Sequence, residues 1–131
     1  DWESRLHNEV DINRLGLWDW LRPSAYREAL YADCSDDDVA LARALLVREP
    51  SRPALTRLRL SPERYGRVPR AYIRLTEDRA ISLSLQDRFI ADSGADQVAS
   101  LNASHSAYFS QPDALVQTIL QLARPPLAQA A

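Results

Sequence analysis

The chain has 131 residues, 46% of them hydrophobic and 26% charged, with a formal net charge of -2. That is the size and composition of one globular domain, not of a disordered or fibrous chain. Its apolar runs are a few residues long, far below the roughly 20 a membrane helix needs, and no basic-then-apolar leader opens it.

The first twenty residues hold Trp2, Trp18 and Trp20 among Leu6, Val10, Ile12, Leu15 and Leu17, a density that predicts a segment packed over another surface. Pro23 and Ser24 precede a predicted short helix over 25–31. Ser35 stands before Asp36, Asp37 and Asp38 as an N-cap with acids in the first turn. It opens a helix whose Val39, Leu41, Ala42, Leu45 and Leu46 recur near helical spacing, closed by Pro50 and Pro53. The acidic triplet thus reads as a helix start rather than a metal site. Residues 68–75 read as a strand interrupted by Arg70 and Arg74, unlike the unbroken apolar run of a sheet centre. A polar loop, Thr76-Glu77-Asp78-Arg79, leads to an amphipathic helix over about 82–93 that uses Leu85, Phe89 and Ile90 and ends at Gly94. Residues 97–101 form a second short strand, and 102–106 a polar loop containing His105. Ser110 is expected to cap the last helix, with Pro112 in its first turn. Leu115, Val116, Ile119, Leu120 and Ala123 form its predicted buried stripe, and Arg124-Pro125-Pro126 stops it. The second half is therefore βαβα, which implies parallel neighbouring strands.

Residue counts exclude several chemistries. Glycine occurs only at Gly16, Gly66 and Gly94, so a Gly-rich phosphate loop has no place. Lysine is absent, which removes P-loop and Schiff-base lysines. One cysteine, Cys34, excludes an internal disulfide framework and fits a reducing, cytoplasmic compartment; with two histidines it gives no zinc pattern. Residues 51–88 carry nine arginines against four acids, but the arginines form no block, aromatic residues are sparse and the chain's pI is ≈ 5.7. These arginines read as solvated faces, not as a nucleic-acid surface.

Parallel α/β sheets gather functional groups at the carboxyl ends of their strands. Asp78 follows the first predicted strand by three residues and His105 follows the next by four, so neighbouring strands present a carboxylate and an imidazole at one edge. Such a carboxylate fixes the histidine tautomer and stabilises the imidazolium formed in proton transfer. On spacing alone two plainer readings stay open: Asp78 as a cap of the following helix, and His105 as a surface-loop histidine. His7, among Glu3, Glu9 and Asp11, reads as a surface residue, and Cys34 as a small buried one rather than a nucleophile.

The run Val68-Pro69-Arg70-Ala71-Tyr72-Ile73-Arg74-Leu75-Thr76-Glu77-Asp78-Arg79-Ala80-Ile81 resembles the penultimate strand and acid loop of α/β-hydrolases. Within them it is nearest the small esterases that include methyl-salicylate-type esterases and hydroxynitrile lyases. Asn102-Ala103-Ser104-His105-Ser106-Ala107-Tyr108-Phe109-Ser110-Gln111-Pro112 resembles that family's histidine loop, with Ala107 where bacterial members often carry proline. Tyr31-Ala32-Asp33-Cys34 and the helix after it resemble the cap region, and the likeness runs from about Tyr26 to Ala123.

The resemblance implies an α/β protein: the carboxyl-terminal part of an α/β-hydrolase fold, a helical cap followed by βαβα, incomplete without an N-terminal half. The cap or lid would occupy 1–53, the last two strands and helices of the core 54–124, and a tail 125–131. Asp78 would be the triad acid and His105 the general base. The glycines cannot form the Gly-x-Ser-x-Gly elbow, so the serine and the oxyanion hole would come from the N-terminal half, as a separate chain or a preceding segment. Two strands alone rarely make a stable sheet, so the chain is expected to need that partner. The implied activity is serine-type carboxylic ester hydrolysis on a small-molecule ester, with no cofactor, metal, nucleic acid or membrane partner; a homodimer stays open. The alternative is a non-catalytic, receptor-like hydrolase fold. A hydroxynitrile lyase ranks third, because lyases of this branch place a lysine immediately after the histidine, where this chain has Ser106.

Overall fold

The computed structural model describes residues 1–13, 15 and 17–123; the expected tail at 125–131 and the stop at Arg124-Pro125-Pro126 lie outside the described residues. In the first half, β1 (Val10–Asn13), β2 (Trp18–Leu21) and β3 (Glu49–Pro50) form an antiparallel sheet in the order β1-β2-β3. The region 1–53, expected as a helical cap or lid, therefore holds a small sheet as well as helices. Val-Asp-Ile-Asn alternates apolar and polar residues and Trp-Asp-Trp does so up to Leu21, the period of a strand rather than a helix. Trp18 is half-buried beneath the Arg48 guanidinium, 4.3 Å above its ring. Trp2 and Leu15, by contrast, are 82% and 99% exposed, so the tryptophan-rich segment covers less than its composition suggests.

The helix expected over 25–31 is one π-helical turn, Tyr26–Leu30, closed by Tyr31 N–H donating to the Tyr26 carbonyl at 2.9 Å. The helix after it, α1 (Asp36–Leu45), begins as the sequence predicts. The Ser35 hydroxyl accepts the Asp38 N–H at 3.1 Å, and the Asp38 carboxylate accepts the Ser35 N–H at 3.1 Å, a reciprocal capping box. Tyr26, Tyr31, Cys34, Val39 and Ala42 form a buried cluster, and Phe109 of the second half packs against it. A short helix, α2 (Arg52–Leu55), leads out of this region.

In the second half, β4 (Ala71–Leu75) and β5 (Gln97–Leu101) pair in parallel, Ala71 opposite Gln97 through Leu75 opposite Leu101. Pairing starts three residues later than predicted. Pro69 has no N–H to give, and the Arg70 N–H goes instead to the Asp96 carboxylate at 2.7 Å. Between the strands runs α3 (Leu83–Ser93), whose Asp87 pairs with Arg74 and so accommodates a charge within β4. Gly94 ends α3 at φ 60°, the left-handed cap position that glycine takes most easily. After β5 come α4 (Ala107–Ser110) and α5 (Pro112–Leu122).

Two expectations for the last helix are corrected. Ser110 does not cap α5, because it already closes α4: its N–H donates to the Ser106 carbonyl, and Gln111 holds the cap position. The predicted buried stripe is also half-open, since Val116, Ile119 and Leu120 are exposed. A sheet of two strands is too narrow to cover an amphipathic helix along its whole apolar face. No described helix is long and apolar enough to cross a membrane.

Candidate active site

Parallel pairing continues beyond the strand ends and brings two loops together. Thr76 N–H donates to the Leu101 carbonyl at 3.0 Å, and Glu77 N–H to the Ala103 carbonyl at 3.1 Å. The next residue on one side is Asp78; two residues on along the other is His105. His105 Nδ1 lies 3.0 Å from Asp78 Oδ2. The second carboxylate oxygen, Oδ1, accepts the Ala80 and Ile81 N–H groups at 2.8 and 2.9 Å. These bonds hold the carboxylate plane, so Oδ2 is presented, among the described residues, to the imidazole alone. The Asp78 side chain is 4% exposed and that of His105 33%. A buried carboxylate at Nδ1 favours the tautomer protonated there. Nε2, without a partner among the described residues, then carries the free lone pair of a base.

Both plainer readings fall away on this geometry. The cap of α3 is Ser82, whose hydroxyl accepts the Leu85 N–H, so Asp78 does not serve that helix. His105 is not a free surface histidine, because its ring is tied to a buried acid. Arg79, next to the acid, turns toward the first half of the chain and pairs with Glu28 at 3.9 Å. The charge of Asp78 also reaches Tyr72: burial first, then that carboxylate, raises the Tyr72 hydroxyl above its ordinary range.

The sequence reading missed two supports of the acid loop. Gln86 is buried, and its Oε1 accepts the Leu75 N–H while its Nε2 donates to the Leu75 and Ile81 carbonyls, all at 2.9–3.0 Å. Thr76 bonds toward β5, so the Leu75 groups, one residue earlier, point to the other edge of β4. There the glutamine amide takes the place of a strand. The only local signal was a polar residue on the apolar side of an amphipathic helix. The second support is the chain start: Ser4 Oγ donates to the Ala80 carbonyl at 2.6 Å, Arg5 N–H to the Arg79 carbonyl at 2.8 Å, and the Asp1 carboxylate accepts from Ser82. Contacts between residues about 80 apart leave no mark on local pattern.

Other candidates stay outside the pair. Ser104 and Ser106 flank His105 but are buried, with hydroxyls directed to Asp33 and Tyr108, and no described serine bonds to the imidazole. Cys34 is buried as expected. Burial, followed by the charges of Asp33 and Asp38, pushes its thiol up to about 11, which leaves it inert as a nucleophile at neutral pH. His7 is exposed and takes no part.

No protein-family model matches the chain. It is 38% identical over 105 residues to putative methylesterase 11, chloroplastic, of Arabidopsis thaliana, a match covering 79% of this chain and 27% of that protein. It is 32% identical over 106 residues to polyneuridine aldehyde esterase of Rauvolfia serpentina, covering 78% of this chain and 40% of the relative. The chain thus spans well under half the length of these relatives. Among solved structures, polyneuridine aldehyde esterase superposes with a TM-score of 0.75 at 28% identity, over 82% of this chain and 43% of that one. A methylesterase from Arabidopsis gives 0.74 at 29% identity, over 81% of this chain and 46% of that one. The chain belongs to the α/β-hydrolases, in the esterase branch of the methylesterases and polyneuridine aldehyde esterase, and carries a carboxyl-terminal part of that fold.

Proposed function

We propose that this chain supplies the acid and the base of a serine-type carboxylic ester hydrolase, Asp78 and His105, and that the other half of the same fold supplies the serine. The observation that carries this reading is the 3.0 Å contact between a buried carboxylate, locked by two backbone N–H groups, and an imidazole whose Nε2 has no partner among the described residues. In the proposed reaction Nε2 takes the serine hydroxyl proton as the oxygen attacks the ester carbonyl. It returns that proton to the alkoxide as the carbon–oxygen bond breaks, leaving an acyl-enzyme and a free alcohol. Water then repeats the sequence, its proton passing through His105 and back to the serine as the carboxylic acid leaves. Asp78 stays ionised throughout and stabilises the imidazolium. Names of relatives point to methyl esters as the substrate class.

Lyase chemistry on this scaffold is disfavoured by the residues at hand. Departing cyanide needs a cation beside it in a desolvated pocket, but Ser106 follows His105 and the chain has no lysine. The test joins residues 1–131 to a serine-bearing N-terminal half and follows p-nitrophenyl acetate and mandelonitrile. Ester turnover is expected, with no cyanide above the uncatalysed rate. His105→Ala should lower ester turnover by about 10³-fold or more, while His7→Ala leaves it within twofold. Equal losses from the two substitutions would sink the assignment. Ligand binding without turnover would favour the receptor-like alternative.

A further inference from the structure

The two residues on either side of His105, Ser104 and Ser106, are almost fully buried, and both are held by one turn of the first half. Asp33, in the turn before α1, accepts the Ser104 N–H at 2.9 Å, the Ser104 hydroxyl, and the Ser110 hydroxyl at 3.0 Å. The next residue, Cys34, directs its thiol to the Ser106 carbonyl at 3.9 Å. Arg27 fixes the turn itself by donating to the Cys34 carbonyl at 2.6 Å and pairing with Asp36. The histidine loop therefore rests on a carboxylate 71 residues away in sequence, not only on β5.

We infer that Asp33 is a positioning residue that sets His105 against Asp78, so that the first half of the chain helps fix the geometry of the pair. This rests on the proposed esterase reading only for its kinetic consequence. Without the carboxylate, the Ser104 amide loses its acceptor, and the loop that carries the imidazole can turn about its ends. Charged acceptors form stronger hydrogen bonds than neutral ones, and displacements of about 1 Å at a reacting group can cost about 10²-fold in rate. Asp33 touches neither the imidazole nor the reacting atoms, so its effect should fall on kcat and not on KM. The balance at Asp33 agrees with such a role. Burial pushes its carboxyl upward, but the Ser104 hydroxyl and amide and the Ser110 hydroxyl together outweigh that and hold it below its usual range.

The test uses the assembled protein with Asp33→Asn, Asp33→Ala and Asp33→Glu, and reads kcat, KM, the melting temperature and the proton resonance of the His105 Nδ1–H hydrogen bond to Asp78. Asp33→Ala should lower kcat about 10- to 100-fold with KM within twofold, and broaden or shift the resonance. Asp33→Asn, which keeps the shape and one acceptor oxygen, should fall between it and the parent, and Asp33→Glu should recover part of kcat. A lower melting temperature with kcat and the resonance both unchanged would overturn the inference, leaving Asp33 a purely structural tie. Should Asp33→Ala not fold, Asp33→Asn and Ser110→Ala carry the same readouts. If the parent protein turns over no ester, the proposed function fails, and the Nδ1–H resonance alone still decides the role of Asp33.

Discussion

The carboxyl edge of the β4–β5 pair buries polar groups, whereas its flank exposes apolar ones. At the edge, Gln86, Ser104 and Ser106 are at most 2% exposed, and each has hydrogen-bond partners within the chain. On the flank, Val98 and the α5 residues Val116, Ile119 and Leu120 are about half exposed. The difference follows from what each kind of interaction needs. A hydrogen-bond network closes on itself once two loops and one turn meet, and few residues suffice. Apolar burial needs a second surface of comparable area, and two strands with their helices do not offer one. The candidate site is thus structurally more complete than the core beneath it.

The largest effect should come from the flank. Residues 1–131 expressed alone are expected to bind a hydrophobic dye and to unfold without a sharp transition, and the other half of the fold should abolish the dye signal. A sharp, monomeric unfolding transition for residues 1–131 by themselves would erase the contrast. At the edge, Gln86→Leu keeps the side-chain volume but removes the amide's bonds to the Leu75 N–H and the Ile81 carbonyl, and leaves the Leu75 carbonyl only the Asp78 N–H at 3.4 Å. It should cost about 2–3 kcal/mol in urea unfolding of the assembled protein; a change under about 0.5 kcal/mol would mean that the glutamine amide is not the edge closure described above. Ser35→Ala removes the cap of α1 and should cost about 1 kcal/mol in the same measurement, with no effect on ester turnover.

The smallest expected effect is a pH dependence at Asp33. Its carboxyl sits below its ordinary range in the folded protein. Its contribution is therefore complete above the unfolded value, about pH 4, and is lost as the pH falls through that value toward the depressed one. Asp33 is an exposed residue, so solvent screening keeps the amplitude modest. Unfolding followed from pH 5 to pH 2 should show a stability loss that Asp33→Asn reduces; parallel curves would mean that other carboxylates carry the acid sensitivity.

Local pattern and spacing in the sequence determined the elements of the second half and the edge at which Asp78 and His105 meet. β5 falls at the predicted residues, and α3 within one residue of its predicted start, because period-two and period-3.6 patterns, Ser82 and Gly94 all agree there. That Asp78 and His105 share one edge was legible because strand ends in a parallel sheet fix which loops become neighbours. Spacing alone left their plainer readings open, and the roles of acid and base came from the resemblance to α/β-hydrolases. The Ser35 cap was legible because its partner lies three residues on, though the return bond from Asp38 was seen only in the structure. Only the tertiary structure decided what depends on distant partners. The β1–β3 sheet is short, and its alternation lies within a tryptophan-rich stretch that also reads as packing surface. Ser110 looked like a cap by composition, yet Asp33 and the α4 turn claimed it. The hold of Asp33 on the histidine loop and of Asp1 and Ser4 on the acid loop join residues more than 70 positions apart. Local periodicity encodes the conformation of a segment, but which polar groups meet across the fold is set by packing.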